Sequence, residues 1–162
     1  MEHILSVVIA VVSGVAVYII GELMRLYFLE PQNKYKELKS RIAYALSYYG
    51  NLYTNVINLA DGQQKQSDEY RYAADEMRKL ACELRAFAEL RYWYNLGISN
   101  IKTINDASAK LFALSNSFFC PNNTHLFHEQ SVRNHDVAQE IRKLLKLKGA
   151  TLGKEDADSK TL

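Results

Sequence analysis

Ile4–Ile20 reads ILSVVIAVVSGVAVYII, a run of 17 residues without a charged side chain. As an α-helix this run is about 26 Å long at 1.5 Å per residue, close to the thickness of a bilayer's hydrocarbon core. Tyr27 and Phe28 follow as interfacial aromatic residues, and Pro31 is expected to stop the helix. The stretch predicts a transmembrane anchor over residues 1–30.

A cleaved signal peptide is the alternative interpretation of this segment. Signal peptides begin with basic residues and end at a small-residue cleavage site. Here the first residues, Met1–His3, contain no Lys or Arg, and the apolar run continues into Glu22 and Arg25, which lie one helical turn apart and can pair or snorkel at the interface. These features favour an uncleaved anchor.

Orientation follows from the distribution of basic residues. None precedes the apolar run, whereas five follow it closely: Arg25, Lys34, Lys36, Lys39 and Arg41. The positive-inside rule therefore predicts a cell inner membrane protein that crosses once, with its N-terminus outside and its C-terminal domain in the cytoplasm.

Small residues recur along the predicted span. Ser6, Ala10 and Gly14 lie four residues apart, and this spacing lets two membrane helices approach closely. The alternative is that membrane helices are rich in small residues without associating. The face predicts a homo-oligomer.

The remaining chain predicts an all-α fold, because apolar residues recur with helical periodicity and no segment alternates as a strand. Residues 33–148 are expected to form a cytosolic bundle of about four helices, with a disordered tail at 149–162. The expected helices are 33 to about 60, 67 (with Ser67 as N-cap) to about 91, about 103 to 119, and 131 or 134 to 147.

Their predicted apolar faces define the core. These faces are Leu38, Ile42, Ala45, Leu46, Tyr49, Leu52, Tyr53, Val56 and Leu59; Tyr70, Ala73, Ala74, Met77, Leu80, Ala81, Leu84 and Phe87; Ile104, Ala107, Leu111, Leu114 and Phe118; and Val137, Ile141, Leu144 and Leu145.

Charge and cysteine content narrow the possible functions. Residues 34–148 hold 17 Lys and Arg against 12 Asp and Glu. This excess suits a membrane surface or an anionic ligand and is too small to indicate duplex nucleic-acid binding. Cys82 and Cys120 do not make a disulfide scaffold, and both are expected to be at least partly buried thiols.

The most distinctive polar pattern is a row of arginines. Arg71, Arg78 and Arg85 are seven residues apart and therefore share one helix face, with Lys79 beside them. Guanidinium groups spaced in this way can hold phosphates. The alternative is a solvated face, in which Asp75 and Glu89, four residues after Arg71 and Arg85, neutralise the arginines.

Aromatic residues follow the arginine row. Arg91, Trp93 and Tyr94 combine a cation with rings able to stack on bases, and Asn100 offers hydrogen bonds to base edges. The alternative is that these aromatic residues pack in the core.

No catalytic motif is visible, and the chain is predicted not to be an enzyme and to need no cofactor. His125 and His128 match no common zinc-site spacing and are interpreted as loop histidines rather than metal ligands.

Three stretches carry a resemblance: KSRIAYALSYY (39–49), ADEMRKLACELRAF (74–87) and ASAKLFALSNSF (107–118). With the preceding span, they resemble small, poorly characterised bacterial membrane-anchored helical proteins. By architecture the chain is also similar to CRISPR-associated membrane effectors whose cytosolic domain binds cyclic oligoadenylate. That similarity implies an antiviral-defence effector that binds an anionic signal, such as a cyclic nucleotide, and acts through membrane lipid. A membrane-anchored scaffold that recruits a protein partner is the alternative.

Overall fold

The computed structural model describes residues 2–58, 64–90, 98–120 and 127–147. Its helices are α1 (Glu2–Met24), a π-helical segment (Arg25–Leu29), α2 (Glu30–Tyr48), α3 (Gly50–Thr54), α4 (Gln64–Glu89), α5 (Ile101–Asn116) and α6 (Phe127–Leu145). Two-residue strands, β1 (Ile57–Asn58) and β2 (Phe119–Cys120), pair in parallel. The predicted all-α class is confirmed, and the short strand pair was not foreseen. The tail at 149–162 lies outside the described residues.

The described residues form two compact units. The first contains residues 2–37 and 98, and the second contains residues 38–58, 64–90, 99–120 and 127–147. In the first unit, α1 is long and apolar enough to cross a membrane by length and composition, with a mean hydropathy of 2.6 in its most apolar window and none of that window buried.

Pro31 does not stop the helix, contrary to the prediction. It lies in the first turn of α2, directly after the π-helical segment, whose wider turn has the Glu30 N–H donating to the carbonyl of Arg25. Proline is tolerated in the first turn of a helix, and its ring would otherwise clash with the carbonyl four residues earlier. A π turn at that place relieves the clash, so helical structure resumes at Glu30.

The core of the second unit surrounds Phe118, whose side chain is fully buried. The rings of Tyr53 and Tyr70 each meet it edge-on, with centroids 6.4 Å away. The predicted apolar faces of α4 and α5 are buried at every position. In the segments predicted as helices from 33 to about 60 and from 131 or 134 to 147, the buried faces are narrower than predicted, because four of the listed side chains are only half-buried: Leu52, Val56, Val137 and Leu144.

Two helix starts differ from the prediction. α4 begins at Gln64 rather than at Ser67, so Ser67 lies within the helix and is not its N-cap. α5 begins two residues early, at Ile101, because the Asn100 side chain accepts a hydrogen bond from the Lys102 N–H at 3.2 Å. Asn100 is therefore a helix cap, and the amide proposed for reading bases is engaged in the fold.

A buried polar residue joins three parts of the second unit. Asn134 on α6 is 1% exposed, and its Nδ2 donates to the carbonyls of Tyr53 at 2.8 Å and Ser117 at 3.2 Å. Its Oδ1 accepts from Gln130 Nε2 at 2.8 Å. This amide satisfies backbone acceptors at the end of α3 and beyond α5, which helices cannot satisfy themselves.

Candidate functional site

The arginine face, defined as Arg71, Arg78 and Arg85, lies along α4 in the second unit and is exposed to solvent. Successive arginines are about 10 Å apart along the helix axis, since seven residues rise by 1.5 Å each. Arg78 Nη2 donates to Asn116 Oδ1 of α5 at 2.9 Å. Arg78 is thus fixed beside α5, and the arginine face borders the contact between the two helices.

The acidic residues expected to neutralise the arginine face do not do so. Within the described ranges, no ion pair joins Arg71 to Asp75 or Arg85 to Glu89. Lys79 instead pairs with Glu76, with Nζ 2.9 Å from Oε1, and this hydrogen bond raises the pKa of the lysine. On the helix, Lys79 points about 100° away from Arg78, so it belongs to a different face from the arginines.

The aromatic half of the predicted ligand site cannot be placed beside this face. Arg91, Trp93 and Tyr94 lie outside the described residues, as does His125. Cys82, expected to be partly buried, is exposed on α4. His128 is exposed on α6, and the described part of the chain contains no group of three or more His, Cys, Asp or Glu side chains that could hold a metal ion.

The association face of α1 is open. Ser6, Ala10 and Gly14 are exposed, and a Cβ built on Gly14 would meet nothing within 4 Å. The Ser6 hydroxyl donates to the carbonyl of His3 at 2.9 Å, which satisfies that polar group inside the helix. Near the other end, Arg25 pairs with Glu22 at 2.5 Å, as predicted, and with Glu30 at 3.3 Å.

A groove between α2 and α4, the tyrosine groove, was not recognised in the sequence. Its volume is about 360 Å³, and it is lined by Ser40, Arg41, Tyr44, Ala45, Tyr49, Glu76 and Leu80. Tyr44 stacks on Tyr48 with ring centroids 5.4 Å apart, and Tyr48 meets Tyr49 edge-on at 5.0 Å. The four-residue spacing of Tyr44 and Tyr48 is the sequence signal that predicts such stacking.

The tyrosine groove is flanked by charge that is already paired. Arg41 Nη1 and Nη2 donate to the two carboxylate oxygens of Glu83, at 2.5 and 3.0 Å, in a forked geometry. Tyr44, Tyr48 and Tyr72 remain 61–65% exposed. Tyrosine and arginine side chains are enriched at surfaces that contact proteins.

A third polar surface joins α2 to α6. Arg142 Nη2 donates to Ser47 Oγ at 3.2 Å, and the guanidinium also lies beside the Tyr53 hydroxyl. Burial raises the pKa of Tyr53, and Arg142 opposes that rise. This surface has no signature in the sequence, because Ser47 and Arg142 are 95 residues apart and only the folded chain brings them together.

Comparison of the chain with protein families, with curated proteins and with solved structures finds no match.

Proposed function

We propose that this chain is a non-enzymatic, single-pass protein of the cell inner membrane whose cytoplasmic helical unit binds an anionic signal. The observation that carries the proposal is the surface of α1, on which large apolar side chains from Ile4 to Ile20 are all more than half exposed. A contiguous apolar surface of this size is unfavourable in water and favourable in lipid.

The basic residues after the apolar run support the proposed orientation. Arg25 is paired with two carboxylates, but the positive-inside rule counts Lys and Arg rather than net charge, so Arg25 contributes to the signal together with Lys34 and Lys36 of α2. A reporter joined after Leu162 should be cytoplasmic, and the chain should resist extraction by alkaline carbonate. Alkaline-phosphatase activity from that fusion would reverse the orientation, and release by carbonate would remove the anchor.

The arginine face is the proposed site for the signal. Arg71 and Arg85 are exposed, and neither carries an ion pair in the described part of the chain. Unpaired guanidinium groups can form forked hydrogen bonds with phosphates. With Trp93 or Tyr94 stacking on bases, the bound signal would be a cyclic nucleotide, and an oligomer would repeat the site around its axis. Such an effector would then act in antiviral defence by perturbing membrane lipid.

Ligand binding tests this site directly. Full-length protein in detergent is titrated with cyclic di-, tri- and tetranucleotides at two salt concentrations. We expect salt-sensitive binding that Arg85→Gln weakens by about tenfold, the loss of one charge-assisted hydrogen bond. Lys102→Gln, which removes one exposed charge from α5, is the matched control. Absence of binding across the panel would reject the nucleotide signal.

A membrane-anchored scaffold is the second candidate function, and the tyrosine groove is the observation that favours it. Its proposed occupant is a protein segment with apolar and cationic side chains, which exposed tyrosine rings bind well. A photo-crosslinking residue at Tyr48, beside the groove residue Tyr44, should then yield a discrete adduct in cells that disappears with Tyr44→Ala. The same residue at Val132, exposed on α6, should not. An adduct that survives Tyr44→Ala would exclude the groove.

A further inference from the structure

The tyrosine groove has two aromatic walls that meet at a steep angle. Tyr44 and Tyr49 both line the groove. The ring of Tyr48 is inclined by 14° to the ring of Tyr44 and by 83° to the ring of Tyr49. The rings of Tyr44 and Tyr49 are therefore roughly perpendicular to each other. Two rings at such an angle can contact a cation from two sides, since the face of an aromatic ring attracts positive charge.

A carboxylate from α4 forms a further wall of the same groove. Glu76 lines it together with the two tyrosines, and its side chain is only 27% exposed. One of its oxygens, Oε1, accepts a hydrogen bond from Lys79 Nζ at 2.9 Å. No hydrogen bond within the described ranges engages the other oxygen, Oε2. Glu76 thus already binds one ammonium group and retains an oxygen for a second.

The groove carries no excess positive charge that would repel a cation. The charge of Arg41, which also lines the groove, is balanced by its forked pair with Glu83 of α4. Glu76 and Lys79 balance each other in the same way. A strongly hydrated metal ion would gain little in a neutral groove, whereas an alkylated ammonium gains ring contacts and one hydrogen bond. The groove therefore favours an alkylammonium group.

The single available carboxylate oxygen distinguishes lysine from arginine. A guanidinium forms its strongest contact as a fork onto both oxygens of a carboxylate, as Arg41 does with Glu83. At Glu76 that contact is blocked, because Lys79 holds Oε1. An ammonium needs only one acceptor, and the apolar stem of a lysine side chain packs well against aromatic rings.

We propose that the tyrosine groove binds a lysine side chain of the partner protein, with its stem between Tyr44 and Tyr49 and its ammonium on Glu76 Oε2. Tyr44 is 65% exposed, so its ring is open to such a partner. The assignment of a protein partner rests on the scaffold function proposed above, whereas the preference of the groove for an ammonium group follows from its own residues. Lys79 competes for the same carboxylate.

Three small probes separate the effect of charge from that of shape. Full-length protein in a non-ionic detergent is titrated with n-butylammonium, which reproduces the lysine side chain, with n-propylguanidinium, which reproduces that of arginine, and with neutral n-butanol. The chemical shifts of the Tyr44 and Tyr49 ring protons report binding. n-Butylammonium should bind about tenfold more tightly than n-butanol. It should bind about threefold more tightly than n-propylguanidinium, which finds one free oxygen instead of two.

Variants test each wall of the groove. Tyr44→Leu, which keeps an apolar side chain, and Glu76→Gln should each weaken n-butylammonium binding about fivefold to tenfold. Lys79→Gln should instead strengthen it about threefold, because Oε1 becomes available. Glu129→Gln removes an exposed carboxylate from α6 and is the matched control, whose affinity should stay within about twofold. Circular dichroism checks that each variant keeps its helical content.

The results distinguish the ammonium site from the scaffold function. Binding of n-butylammonium without a crosslinked adduct at position 48 in cells would support the ammonium site and reject the protein partner. An adduct without n-butylammonium binding would overturn the lysine site and leave the scaffold. Equal binding of n-butanol, or unchanged affinity in both Tyr44→Leu and Glu76→Gln, would also overturn the site. Equal binding of n-propylguanidinium would overturn the choice of lysine.

Discussion

Replacing Asn134 tests how the second unit is held together. Its Nδ2 is a donor for two backbone carbonyls, those of Tyr53 and Ser117, at a place that is 1% exposed. Asn134→Leu keeps a similar volume but removes the donor from the buried hydrogen bond to Tyr53 and from the partly buried one to Ser117. Each buried unsatisfied group costs about 1–3 kcal/mol, and the partly buried Ser117 carbonyl should cost less than the Tyr53 carbonyl. We expect the free energy of unfolding to fall by about 2–4 kcal/mol.

Urea unfolding of the full chain in mild detergent, followed by circular dichroism at 222 nm, measures this loss. Gln130→Ala is the matched control, because it removes only the half-buried hydrogen bond to Asn134 Oδ1 and should cost about 1 kcal/mol or less. Asn134→Asp should be at least as damaging as Asn134→Leu, since a carboxylate would face two carbonyl oxygens. A loss below about 1 kcal/mol for Asn134→Leu would refute the role assigned to this amide.

Three further outcomes are expected. Gly14→Leu should lower the oligomer mass measured by light scattering in detergent, because the larger side chain blocks close approach of two helices. The circular-dichroism spectrum should not change, because nothing in the chain lies within 4 Å of the added Cβ, and an unchanged mass would exclude this face. A double-mutant cycle on Arg41 and Glu83 should give a coupling below about 1 kcal/mol, since both side chains are nearly half exposed, and a coupling well above that would contradict screening by solvent. Burial raises the pKa of Tyr70 above its ordinary value of 10.0. The contribution of the neutral Tyr70 hydroxyl to folding stability is therefore fully present below pH 10 and is lost as the pH rises through the pKa of the folded state. Tyr70→Phe should remove this part of the loss, measured by unfolding curves between pH 9 and 11.

The helical faces could be predicted from periodicity wherever two helices cover each other fully. α4 and α5 bury every predicted apolar position, because local periodicity and tertiary packing agree there. In α6 the most buried face includes Asn134 and Ala138 in place of Val137 and Leu144. An apolar pattern cannot reveal a buried asparagine, whose partners are backbone carbonyls on distant segments.

Helix ends and binding surfaces were harder to predict than the apolar faces of helices. Whether Pro31 ends a helix depends on whether a π turn precedes it, and helix propensities do not contain that information. The arginine face could be read from seven-residue spacing because it lies on one helix. The hydrogen bond between Arg142 and Ser47 could not, since these two residues share no local pattern and are 95 positions apart in the chain.

The bonds of Asn134 also set an order of events during synthesis. Asn134, whose side chain satisfies the Tyr53 carbonyl, is synthesised 81 residues after Tyr53. The strand that pairs with β1 is synthesised earlier than Asn134, since Ile57 pairs with Phe119. At roughly 5–20 residues per second, a ribosome needs about 4–16 s to supply Asn134. During that interval α3 has emerged without the α6 side chain that satisfies its Tyr53 carbonyl. The nascent chain is therefore most exposed to chaperones and proteases between completion of α3 and completion of α6.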